Sequence, residues 1–276
     1  MCGILGQVSF NKISKKNFIE SLSLINHRGP DNTSVNFINL KNKKIGFGHK
    51  RLSIIDLDIK SNQPMTFGKY TIIFNGEIYN YKCLKLKLQK LGIKFTTSGD
   101  TEVILKSYIK FGIKKTAKLL KGMFAFAILD RKIGKLFLVR DRVGIKPLYF
   151  QFDKKNLIFS SEIKCIKKLL KYKTEINYDS CGNYFYHRHI DEPKTIYQNI
   201  FAVNSGEIID FDINNMILKK KKYWSLCQSS KLNSEEKILD DIDELLNKSV
   251  KEHLVSDVPV CFSFSGGLDS SILMAI

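Results

Sequence analysis

In Met123-Phe124-Ala125-Phe126-Ala127-Ile128-Leu129-Asp130, bulky and small apolar residues alternate, so a strand built from this run presents no polar face. Such a strand has to be covered on both sides. Segments 135–139, 147–152 and 157–159 follow after short turns, and their spacing predicts an antiparallel meander rather than crossovers. Tyr70 to Phe74 adds a strand by its aromatic and β-branched content. Helices are available as cover. Residues 17–26 keep helical spacing through Phe18, Leu22 and Ile25 until His27-Arg28-Gly29-Pro30-Asp31 stops them, 81–91 end at Gly92, and a third helix runs from about 101 to 111. Sheets buried on both faces, with helices over them, make a layered α+β sandwich.

The 276 residues, 43% of them hydrophobic, suffice for one large core and part of a second domain. No apolar stretch approaches the roughly 18 residues of a membrane span. The start, Met1-Cys2-Gly3-Ile4, lacks the basic region of a secretory signal, so a cytoplasmic location without membrane contact is expected. Six cysteines with no CxxC pair predict neither a metal site nor a disulfide framework. The net charge of +18 invites a nucleic-acid partner. It is carried mostly by dispersed lysines, however, and arginine, the better reader of phosphates and bases, is sparse, so no nucleic acid is expected.

Cys2 becomes the first residue if Met1 is trimmed, and it then holds a nucleophile and a base together. Its thiol attacks while its own α-amine, with an ordinary pKa of roughly 7.7–8, takes the proton. Taken alone, a cysteine at position 2 is more simply a packing residue. Its neighbours argue otherwise. The strand 70–74 is expected to end in a tight Asn75-Gly76 turn, whose side-chain amide and backbone N–H would serve as oxyanion donors, although Asn-Gly is also a common hairpin signal. Arg51, a polar position beside an apolar run, suits a two-pronged grip on a carboxylate or a surface salt bridge. Asp100, with Glu77 helping, suits a substrate ammonium or a plain helix cap. The five histidines, His27, His49, His187, His189 and His253, have no role in this chemistry.

Composition shifts at 219–230, a basic then polar stretch that reads as a linker. Asn233 or Ser234 caps a helix that keeps its spacing from Ile238 to Leu254, and a strand at 259–264 leads into Ser265-Gly266-Gly267-Leu268-Asp269-Ser270-Ser271. Backbone N–H groups in such a glycine-rich turn cradle an anion, although the GxxxxGK[ST] spacing is missing.

Taken in order, Met1-Cys2-Gly3-Ile4, Arg28-Gly29-Pro30-Asp31, Arg51-Leu52-Ser53-Ile54, Asn75-Gly76-Glu77, Gly99-Asp100-Thr101-Glu102, 122–126 and Arg140-Asp141-Arg142-Val143-Gly144-Ile145-Lys146-Pro147 form a specific set. The chain resembles, over essentially its whole length, the glutamine-hydrolysing asparagine synthetases, whose glutaminase half is a class II amidotransferase of the N-terminal nucleophile hydrolase type. The resemblance implies a four-layer αββα sandwich over 2–218, a linker over 219–232, and the start of an α/β ATP pyrophosphatase domain over 233–276. It implies Cys2 as nucleophile and base and Asn75 and Gly76 as oxyanion donors. Glutamine would lie along Arg51, Leu52, Ser53, Ile54 and Ile55, with Glu77 and Asp100 at its amino group. ATP would lie on Phe264, Ser265, Gly266, Gly267, Leu268, Asp269 and Ser270. ATP, Mg²⁺ and aspartate are expected for the synthetase step, with no cofactor for the glutaminase step, and a homodimer stays open. If the chain stops at Ile276, the tail after about Val255 is expected to be poorly ordered or adhesive, and the chain at most a glutaminase. A polysaccharide sugar carboxylate as acceptor, or a non-catalytic interaction module, remains as an alternative.

Overall fold

The structure, a computed structural model, describes residues 1–170, 172–227 and 234–276. Among these, two six-stranded antiparallel sheets lie face to face. The first has the order β10 (Phe201–Ala202), β8 (Tyr149–Phe152), β9 (Asn156–Ser160), β1 (Gly3–Ser9), β3 (Lys43–Arg51), β2 (Asn32–Leu40). The second runs β12 (Ile217–Lys222), β11 (Glu207–Asp212), β7 (Lys135–Arg140), β6 (Gly122–Asp130), β5 (Tyr70–Ile78), β4 (Met65–Phe67). Helices α1 (Lys15–Ser23) and α5 (Ile163–Leu169) cover the first sheet, while α2 (Tyr81–Lys90), α3 (Asp100–Phe111) and α4 (Ile113–Leu119) cover the second. The layers are those of the αββα sandwich expected above.

Strand β6 shows why the layers stack this way. Ala125, Ala127 and Leu129 point into the core between the sheets, and Phe124, Phe126 and Ile128 point into the core beneath the helices. The two alanines leave room for larger side chains of the facing sheet, whereas the two phenylalanines fill the space under the helices. All six are fully buried.

Three expectations need correction. The strands after β6 are antiparallel but do not form one meander: β7 pairs with β6, and the chain then crosses to the other sheet, where β8 and β9 form a hairpin beside β1. The basic run at 219–222, read as linker, belongs to β12, where Lys221 faces Asp210 at 2.8 Å. Lysine is common on edge strands because its charge deters pairing with another chain. Residues 259–264, expected as a strand, join no ladder among the described residues, and a strand requires neighbours that share its hydrogen bonds. Part of the expected linker, 228–232, and the candidate cap Asn233 lie outside the described residues. Helix α6 (Tyr178–His187) lies between β9 and β10 in the chain, Ser234 occupies the cap position of α7 (Glu235–His253), and α8 (Leu268–Ala275) follows the glycine-rich turn.

Candidate active site

One cleft gathers the start of β1, the loop after β3, the end of β5 and the first turn of α3. Cys2, just before β1, places its Sγ 3.3 Å from the Leu52 N–H that donates to it and 3.5 Å from the Leu52 carbonyl that accepts from it. Burial pushes its thiol up, and the Leu52 N–H and the nearby chain terminus partly offset this. The Cys2 nitrogen is a peptide nitrogen here, joined to Met1. The candidate base is therefore masked until that bond is cut.

Asn75 is fully buried, and neither Nδ2 nor Oδ1 has a partner among the described residues. Asn75 lines the cleft, so its Nδ2 is available to donate to a ligand oxygen there. Asn75 and Gly76 do not form a tight turn, as the dipeptide suggested. Both are inside β5, opposite Ala125 and Phe124 of β6. Gly76 is required for a different reason. Its φ is +150°, and a Cβ would lie 2.1 Å from the Met123 carbonyl oxygen.

Arg51, the last residue of β3, is buried, and its Nη1 donates to the Asp58 carbonyl at 3.0 Å and to Asn62 Oδ1 at 2.7 Å, while Nη2 donates to the Asp56 carbonyl. Guanidinium has five N–H groups, so two remain without a partner among the described residues. Asp100 Oδ2 accepts from the Ile78 N–H at 3.0 Å, and burial raises its carboxyl to about 7 despite that bond. Glu77 is half-buried and also raised by burial, with Lys146 opposing. A positive ligand group beside these two would restore their charge. Leu52, Ile54 and Ile55 line the cleft, whereas the Ser53 N–H donates to Asp31 Oδ2 at 2.7 Å.

Several framing residues were not assigned roles from sequence. Buried Lys146 lines the cleft, its Nζ 3.0 Å from Met1 Sδ. Arg28 Nε donates to the Cys2 carbonyl at 3.0 Å. Asp56, at positive φ, ties the loop after β3 to the entry of α3 through Ser61 Oγ, Ser98 N and Gly99 N at 2.6–2.9 Å. Lys146 and Arg28 fall within the ordered motif set, so their positions were signalled. Nothing in the sequence marked Asp56.

The glycine-rich turn is exposed. Gly266 has φ +76°, Ser265 Oγ and Ser270 Oγ are 3.0 Å apart, and no side chain caps the first amides of α8. Those free amides fit an anion. Among the described residues no group of three or more His, Cys, Asp or Glu is placed to hold a metal ion, and no helix is long and apolar enough to cross a membrane.

Residues 1–224 match the model of the glutamine amidotransferase domain, and 241–276 match that of asparagine synthase. A Methanocaldococcus jannaschii protein whose name assigns it as a glutamine-hydrolyzing asparagine synthetase is 39% identical over all of this chain and 56% of its own length. Asparagine synthetase (glutamine-hydrolyzing) 3 of Bacillus subtilis is 34% identical over all of this chain and 45% of its own. The chain thus spans about half the length of these curated relatives. In fold, it matches the glutamine phosphoribosylpyrophosphate amidotransferase of Bacillus subtilis with a TM-score of 0.59 at 20% identity, over 84% of this chain and 50% of that one.

Proposed function

The chain belongs to the glutamine amidotransferase domain family over residues 1–224, and from that premise we propose that it hydrolyses glutamine to glutamate and ammonia with Cys2 as nucleophile. The supporting observation is the meeting of Cys2, Asn75, Arg51, Glu77 and Asp100 in one cleft from four separate stretches of chain. Removal of Met1 frees the Cys2 α-amine. Glutamine then lies with its carboxylate on the two spare N–H groups of Arg51 and its ammonium between Glu77 and Asp100. The α-amine takes the thiol proton as sulfur bonds to the amide carbon, and the oxyanion is held by Asn75 Nδ2 and the Gly76 N–H. The C–N bond breaks, the α-ammonium returns its proton to nitrogen, and ammonia leaves a glutamyl thioester. Water, deprotonated by the same amine, cleaves the C–S bond and releases glutamate.

Ammonia formed here serves, in this reading, an ATP-dependent amidation of aspartate's side-chain carboxylate, supported by the match at 241–276 and the names of the relatives. Residues Phe264 to Ser270, with the first amides of α8, would hold the phosphates. When bound, ATP with Mg²⁺ supplies the activation of the carboxylate. The glutaminase unit is placed through β12, and the second unit from Ser234 onward. The same reading puts the protein in the cytoplasm, without nucleic acid, and leaves assembly as a homodimer to size measurement.

Intact mass with and without a glutamine-analogue electrophile provides the test. We expect a chain lacking Met1, one adduct on Cys2, and no adduct or glutamate release from Cys2→Ala. Undiminished glutamate release by Cys2→Ala would overturn the assignment.

A further inference from the structure

We propose that Asp257, in the segment after α7, is a positioning residue for glutamine recognition, acting on the loop after β3 that carries the walls of the cleft. This rests on the glutaminase reading above. Asp257 grips the loop at two points: its N–H donates to the Ile54 carbonyl at 3.0 Å, and its Oδ2 accepts from the Asp56 N–H at 2.7 Å. The two bonds bracket Ile55, which lines the cleft. The Asp56 carbonyl in turn accepts from Arg51 Nη2, so the clamp, the loop and the guanidinium form one connected path.

The contact is part of a wider seat. The ring of His253, at the end of α7, lies tilted against Tyr79 with centroids 4.4 Å apart, Glu252 lies 3.9 Å from Lys121, and Val255 packs against the core beneath the helices of the second sheet. These residues fall in the stretch that matches the second family, 241–276, while the partners just named, Ile54, Asp56, Tyr79 and Lys121, fall in the first. The seat therefore places a residue of the second unit two bonds from the proposed carboxylate grip of the first. A shift of that segment changes the hold on glutamine without touching Cys2. Asp257 lies eight residues before Ser265, at the glycine-rich turn, which links the clamp along the chain to the proposed nucleotide loop.

Asp257→Ala deletes the acceptor and keeps the backbone bond, whereas Asp257→Asn keeps an acceptor oxygen. In steady-state glutamine hydrolysis by the full chain, Asp257→Ala should raise KM for glutamine about 3–10-fold, the scale of one lost hydrogen bond, with kcat within about twofold. Asp257→Asn should recover most of that loss. Hydrogen exchange at the Asp56 amide should be faster in Asp257→Ala and near wild type in Asp257→Asn. Unchanged KM in Asp257→Ala, or kcat and KM falling together with thermal stability in both variants, would overturn the proposal. If the wild-type chain released no glutamate, the glutaminase reading would fail by itself. The Asp56 exchange rates would then decide the clamp, and equal rates in all three proteins would reject it.

Discussion

At the residue scale, the proposed mechanism divides the work between Arg51, which would hold the ground state, and Asn75, which would hold the transition state. Arg51 has three donors committed to the loop and two free, so Arg51→Lys loses both the loop contacts and the planar fork. We expect the KM for glutamine to rise about 10–100-fold, from charged hydrogen bonds of about 1.5–3 kcal/mol, with a smaller change in kcat. Asn75→Ala should instead lower kcat roughly 10²–10³-fold, as for loss of one oxyanion donor. Initial-rate measurements separate the two patterns, and the reverse pattern would exchange the assigned roles. Both residues were legible in sequence because each stands in a short ordered motif. Asp56 was not, because its importance comes from bonds to Ser98 and Gly99, more than 40 positions away.

At the element scale, pairing decided what dipeptide chemistry could not. Asn75-Gly76 signals a turn by local preference, yet the β6 partner residues extend β5 to Ile78 and place the glycine where the strands come too close for a side chain. Gly76→Ala should therefore destabilise the protein by at least about 1–3 kcal/mol through backbone strain, with further loss from the clash at the Met123 carbonyl. Urea unfolding checks this, and a midpoint equal to wild type would contradict it. The lysines of β12 misled for a related reason. Their side chains are solvated as a linker's would be, and only the backbone ladder to β11 makes them a strand.

At the scale of the whole molecule, two fully buried titratable groups set opposing pH dependences. Burial holds Asp100 protonated to about 7 against an ordinary 3.8, so its contribution declines as pH rises across that interval. His49 is held neutral, its pKa lowered by burial from 6.5 to about 4, so its contribution is lost as pH falls through that range. Between pH 4 and 6.5 the folded chain keeps the proton on Asp100 and the unfolded chain keeps it on His49. Their slopes therefore cancel. Asp100→Asn removes one side of the balance, and its stability should rise by about 3 kcal/mol from pH 4 to 6.5, at about 1.36 kcal/mol per pKa unit. Chemical unfolding at a series of pH values measures the slope, and a variant profile parallel to wild type would reject the pairing.

Sequence alone determined the doubly covered sheet, because the alternation of large and small apolar residues in 123–130 leaves no face for water. It also singled out Cys2 as the candidate nucleophile, through the ordered set of motifs that follows it rather than through the thiol alone. Only the tertiary structure decided which strands share a sheet, and that the chain crosses between sheets after β7. It alone decided that Asp257 reaches Ile54 and Asp56 from some 200 residues away. Contacts of that range are selected by the packing of the whole core, and local preference carries no trace of them.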